Sequence, residues 1–210
     1  MGAFKKPWRE LAKVLRKTEF PLRDTEPFRA KGRPLTPKRQ RKDVKNNRYA
    51  LMPIDQDALN LALHARLAKL EGWETQPLVL GKTLGRELES FLKGDFKKAG
   101  MFVEVEFGNT ASLFRDLFKF QLVSQSKMGQ VAVLVVATDR AARLMDSNVA
   151  TFERVVSLLP FLDFVVALPI LIVGIEPSDW TPIRKHYNRM KRVAEKHRVK
   201  CYTFEEASGL

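Results

Sequence analysis

Residues 131–137 read VAVLVVA, seven apolar residues in succession, four of them valine. A strand with one wet face alternates apolar and polar side chains; an unbroken apolar run of this length fits a strand covered on both faces. A chain holding such a strand must supply helices to cover it. The rest of the sequence does so. Leucines recur at 59, 63, 67 and 70 in a segment that starts near Asp55 and stops at Gly72. Leu113, Phe114, Leu117, Phe118 and Gln121 recur at helical spacing between about Ala111 and Lys127, with Asn109 or Thr110 as cap and Gly129 as stop. Thr83 can cap a helix to about Leu92, another helical segment runs to about Leu159, and basic helices are expected at 4–17 and about 182–197. Between them lie WETQPLVL, Met101–Phe107, PILIVGI at 169–175 and VKCYTF, all strand-like. This alternation predicts an α/β domain with a mixed central β-sheet flanked by α-helices.

The one stretch greasy enough to consider as a membrane span, 155–175, is broken by Pro160, Asp163 and Pro169, and is read as a helix end, a turn and a buried strand. No signal peptide is expected, since the first lysines and arginines are not followed by an apolar core. A single cysteine, Cys201, fits a reducing cytoplasm and a structural role. Together these predict a soluble, cytoplasmic protein without a membrane partner.

Charge is distributed unevenly. The net charge is +13, and residues 1–50, with 16 Lys and Arg against 5 Asp and Glu, carry +11 of it. Residues 184–200 add eight Lys and Arg against one Glu. A chain this basic is expected to meet a polyanion, nucleic acid first. Four prolines from Pro21 to Pro37 forbid a continuous helix there. The chain is therefore divided into a basic N-terminal arm, 1–53, and a folded domain, 54–210, with the basic C-terminal helix; for 18–53 a solvated, partly disordered tail is the plainer alternative. Lys38, Arg39, Arg41 and Lys42 are candidate phosphate contacts, whose charge reversal should weaken binding to all DNA sequences alike.

The chemistry is expected in MFVEVEFGN, 101–109. Side chains alternate along a strand, so Val103, Val105 and Phe107 share one face and Glu104 and Glu106 the other, their Cα atoms about 7 Å apart. Asp95 precedes Glu104 by eight intervening residues, enough for a turn to fold it back. Three converging carboxylates repel one another, and a hard divalent cation such as Mg²⁺ would neutralise them. A wet strand face that merely carries two glutamates is the plainer alternative. No other constellation competes: His64, His186 and His197 are scattered, and GKTLG at 81–85 lacks the upstream glycine of a phosphate loop.

Asp95, VEVEFGN, FRDLFKFQ, VAVLVVATDR, NVATFERV and PILIVGI, in this order and spacing, resemble the BglII/BstYI/BamHI group of type II restriction endonucleases over about residues 55–177. The resemblance implies a restriction-endonuclease-like core of the PD-(D/E)xK superfamily. It implies metal binding by Asp95 and Glu104, with Glu106 where most of the superfamily has a catalytic lysine; BamHI has Glu there and BglII Gln, so the general base stays open. Glu87 or Glu89 is a candidate for a further acidic residue. Asn109 would face the major groove, the alternative being a helix cap, and Asp139 with Arg140 would read bases, the alternative being a cap and a surface ion pair. The group implies a homodimer cutting both strands of a short palindrome, with a GATC core, and a cognate DNA methyltransferase as a possible partner. A non-catalytic DNA-binding protein on the same fold, or a structure-specific repair or junction nuclease, remains the alternative function.

Overall fold

The computed structural model describes residues 4–23, 40–43, 48–80, 92–146, 148–161 and 167–209. The elements are α1 (Lys5–Arg16), β1 (Gln40–Asp43), β2 (Arg48–Leu51), α2 (Gln56–Leu67), β3 (Glu74–Thr75), β4 (Phe96–Lys98), β5 (Met101–Glu106), α3 (Thr110–Gln125) and β6 (Val131–Ala137). They continue with α4 (Asp139–Arg143), α5 (Phe152–Leu158), a 3-10 turn (Leu159–Phe161), β7 (Ile170–Ile175), α6 (Thr181–Lys196) and α7 (Phe204–Ser208).

Five strands form one mixed sheet in the order β3-β4-β5-β6-β7, antiparallel from β3 to β5 and parallel from β5 to β7. VAVLVVA is an inner strand of it, and all but Val131 are buried. PILIVGI differs from the expected buried strand. β7 is a sheet edge among the described residues and only Ile175 in it is buried, because no further described strand shields its outer side. The expected helix to Leu159 is two helices, since Thr138 caps α4 and Thr151 caps α5. VKCYTF forms no extended strand: Cys201 bridges Tyr49, and Thr203 with Glu206 then builds a capping box that starts α7. The expected helix from Thr83, the GKTLG stretch, Glu87 and Glu89 lie outside the described residues.

The sheet separates two cores. On one face α1, α2 and α6 bury Leu11, Leu59, Leu63, Leu67 and Tyr187 against Val103, Val105 and Phe107. On the other α3 buries Leu113, Leu117, Phe120 and Val123 against Phe102, Leu134 and Val136. α1 is thus part of the core, and not of an arm: Leu11 is fully buried and Glu10 accepts hydrogen bonds from the Trp73 indole and the Lys98 ammonium. Gly129 ends the turn after α3 where a Cβ would lie 2.6 Å from Val123 and 2.9 Å from Phe102, so only glycine lets the chain pass from helix to sheet there. Among the described residues no helix is long and apolar enough to cross a membrane.

Candidate active site

The site is built by one tight hairpin. Lys98 pairs with Met101, and the two residues between them, Ala99 and Gly100, both have positive φ, 49° and 79°. That is the turn whose twist matches an antiparallel pair. Its register, Phe96 opposite Val103, carried one residue further sets Asp95 opposite Glu104. Asp95 Oδ2 accepts a 2.7 Å hydrogen bond from the Val105 amide, which fixes the carboxylate against the end of β5. The eight residues between the two acids thus form a hairpin whose register juxtaposes them.

β5 is buried along its whole length, Glu104 and Glu106 included, at 2% and 7% exposure. This is no wet strand face. α3 covers it, and brings Arg115, Asp116 and Lys119. The Lys119 ammonium lies 2.9 Å from Glu104 Oε2 and 2.9 Å from Asp116 Oδ1. Glu106 Oε1 accepts from the Gly108 amide at 2.5 Å, and its Oε2 lies 3.4 Å from Arg115.

Burial raises the Asp95 carboxyl, opposed by the Val105 hydrogen bond. Burial, then the charges of Asp95 and Asp116, push Glu104 well above the carboxylate range. Burial and Asp116 push Glu106 up to about 7. Burial opposes the charge of Lys119, but Glu104 and Asp116 outweigh it and hold its ammonium above the usual range. Positive charge is what this cluster lacks. A divalent cation would supply it.

Among the described residues no three His, Cys, Asp or Glu side chains converge as a ready-made metal cage. Mg²⁺ does not require one, since it keeps several waters and takes one or two carboxylates together with substrate phosphate. Gln56, Asn60 and His64 recur at four-residue steps on α2, so they share a helix face. His64 Nε2 is 3.8 Å from Asp95 Oδ1, and Gln56 Oε1 and Asn60 Oδ1 are buried without a hydrogen-bond partner. Such buried acceptors suit ordered or metal-bound water. The donor set therefore fits a hydrated hard cation.

Asn109 caps α3, its Oδ1 accepting from the Ala111 amide at 2.9 Å. It also joins a unit that its sequence position did not reveal: Asn148 Nδ2 donates to Asn109 Oδ1 at 2.9 Å, and Arg154 donates to Thr110. Asp139 and Arg140 do not pair with each other. Arg140 makes a two-pronged contact with Glu176, at 2.5 and 3.2 Å, and the Asp139 amide donates to Glu153. Thr138, and not Asp139, is the cap of α4. Lys38 and Arg39 lie outside the described residues; Arg41 and Lys42 are in β1, opposite Ala50 and Tyr49. Cys201 is buried, and burial pushes its thiol up to about 11, which leaves it protonated at neutral pH.

The family model for restriction endonuclease BglII/BglIII matches residues 1–175. The chain belongs to the BglII restriction endonuclease family. It is a type II site-specific deoxyribonuclease. This restriction endonuclease has no match among curated protein sequences. Among solved structures it is similar to restriction endonuclease BglII complexed with a DNA 16-mer, at a TM-score of 0.56 and 18% identity, over 82% of this chain and 72% of that one. At this identity the likeness speaks for the fold. The family match starts at residue 1, so the basic N-terminal segment belongs to it, contrary to a resemblance beginning near residue 55. It ends at 175, so α6 and α7 of the endonuclease lie beyond it.

Arg115, Asp116, Lys119, Asn148 and the Gln56–Asn60–His64 face are functional candidates that sequence reasoning missed. A signal existed for two of them. The buried stripe of α3 is Leu113, Leu117, Phe120 and Val123, and Asp116 and Lys119 fall on it. Charges on the core side of a helix mark a partner charge inside. Of the residues expected at helical spacing, Leu113 and Leu117 are on that stripe, whereas Phe114 and Phe118 are about half exposed.

Proposed function

We propose that this endonuclease is Mg²⁺-dependent, acts in the cytoplasm as a homodimer on double-stranded DNA, and hydrolyses one phosphodiester on each strand of a short palindrome with a GATC core. A cognate methyltransferase would modify the same site. The observation that carries this reading is the hairpin register that sets Asp95 opposite Glu104, with Glu106 one step along the same buried face. Asp95 and Glu104 would hold Mg²⁺. Bound there, the ion would neutralise both carboxylates, polarise a phosphate and acidify a water. Glu106 stands where a catalytic lysine is more usual. With a carboxyl held at about 7, it can accept a proton from water near neutral pH. The Gly108 amide on Oε1 fixes which oxygen is left for that exchange, Oε2, the one facing Arg115.

Asn109 and Asn148 form a paired amide at the start of α3 and are the proposed base-edge readers. Asp139 and Arg140 are proposed readers of flanking bases; Arg140 must first leave Glu176. Lys38, Arg39, Arg41 and Lys42, with the exposed basic face of α6, would neutralise phosphates.

The test is a digest of unmethylated phage-length DNA by wild type with Mg²⁺, wild type with EDTA, and Glu104→Ala with Mg²⁺, followed by sequencing of fragment ends. Discrete fragments in the first tube alone, sharing a palindrome, are the expected outcome. Cleavage that persists in EDTA would count against the metal. Intact DNA with a retained gel shift would mark a binding protein, and preferential cutting of branched substrates a structure-specific nuclease.

A further inference from the structure

We propose that Lys119 is a positioning residue that reserves one oxygen of Glu104 and leaves the other for the divalent cation; the proposal rests on the nuclease reading above. The two oxygens of Glu104 are in different surroundings. Oε2 is bonded to the Lys119 ammonium at 2.9 Å. Oε1 lies away from that contact: a Cβ placed on Gly94, the residue preceding Asp95, would meet it at 3.1 Å. Glu104 therefore keeps one oxygen, Oε1, to offer a cation, while Lys119 holds the second.

Lys119 is itself fixed. Asp116, one turn earlier on α3, takes the same ammonium at 2.9 Å, and both side chains are almost wholly buried, at 7% and 2%. A lysine on a helix surface would sweep through many rotamers. This one is held between two carboxylates and is almost wholly buried. Gly94 completes the arrangement, since any larger residue there would press on Oε1. A carboxylate that binds through one oxygen keeps a defined direction and leaves coordination sites for water and phosphate. A carboxylate free to bind through both would hold the cation more tightly and in a different place.

The consequence is unusual for a residue beside a metal ligand. Removing the Lys119 charge should tighten cation binding and slow turnover together. The experiment compares wild type, Lys119→Met, Lys119→Arg and Asp116→Asn. Mn²⁺ binding is followed by calorimetry, and cleavage by single-turnover kinetics at saturating Mg²⁺. The expected result for Lys119→Met is Mn²⁺ affinity raised roughly tenfold with the cleavage rate lowered roughly 10- to 100-fold. Lys119→Arg should stay near wild type in affinity. Asp116→Asn, which loosens Lys119 without deleting it, should move both readouts in the same directions by less, and decides the matter if Lys119→Met does not fold. A merely structural ion pair would lower the melting temperature and leave Mn²⁺ affinity unchanged, and that result, or a weakened affinity, overturns the proposal while leaving the nuclease reading intact. Wild type that neither binds Mn²⁺ nor cleaves overturns the nuclease reading, and this proposal with it.

Discussion

Arg48 and Glu206 are 158 positions apart in the chain, yet their side chains meet through two hydrogen bonds of 2.6 and 3.0 Å. The Arg48 guanidinium and the Thr203 amide hold the Glu206 carboxyl down at about 2. Its charged form is thus favoured by folding. The sign follows: the contribution is present above the ordinary glutamate value near 4.5 and is lost as pH falls towards 2. Thermal melts of wild type and Glu206→Gln should therefore differ at pH 7 and converge near pH 2, and the gap should shrink in 1 M salt because the pair is solvent-screened. A gap independent of pH would mean that the capping geometry alone, and not the charge, ties α7 to β2. The Glu206 carboxylate also closes the capping box, so one residue both starts a helix and fastens it to the β1–β2 hairpin.

At the scale of elements, α1 shows how a locally basic segment becomes core. Its charges, Lys5, Lys6, Arg9, Lys13 and Arg16, lie around a stripe of Trp8, Leu11 and Leu15 that packs on α2. Leu11→Ala should cost about 2–5 kcal/mol, as expected for a fully buried leucine, against under about 0.5 kcal/mol for an exposed charge such as Lys5→Ala. Urea unfolding of the two variants measures the contrast, and a small loss at Leu11 would return α1 to the arm. The stripe was visible in the sequence. Its docking was not, because composition assigned the whole of 1–53 to one basic arm. The reverse error occurred on α3. Both phenylalanines at 114 and 118 and the leucines at 113 and 117 have helical spacing, and a count of apolar residues cannot say which pair faces inward when the true stripe also carries Asp116 and Lys119.

For the whole molecule those outward phenylalanines have a further meaning. Phe114, Phe118 and Phe161 are all at least half exposed, and Gln121 on α3 accepts from the Ala167 amide. Exposed aromatics one turn apart on a helix, as Phe114 and Phe118 are, suit contact with a second protein surface. A palindrome offers two equivalent half-sites, so a second copy is the partner that the proposed reaction requires. Sedimentation should give a dimer for wild type and a monomer for the Phe114→Glu, Phe118→Glu double variant, with double-strand cleavage lost in parallel. A double variant that stays dimeric would place the interface elsewhere.

What the sequence by itself determined was set by short-range rules. The alternating strand placed Glu104 and Glu106 on one face. The apolar run at 131–137 specified an inner strand, and the helical periods around it an α/β sheet. Asp95 could be singled out because a hairpin couples residues that are near neighbours in sequence. The tertiary structure decided the rest, because the contacts concerned join segments that periodicity treats separately. Lys119 and Asp116 become part of the acidic site only when α3 crosses β5. Asn148 reaches Asn109 from 39 residues away. Arg140 is held by Glu176 across the C-terminal ends of β6 and β7. Among the described residues β7 is an edge because no sixth strand follows it in the sheet. A buried charge is selected by its partner, and the partner's place is fixed by packing of the whole sheet, which no local pattern contains.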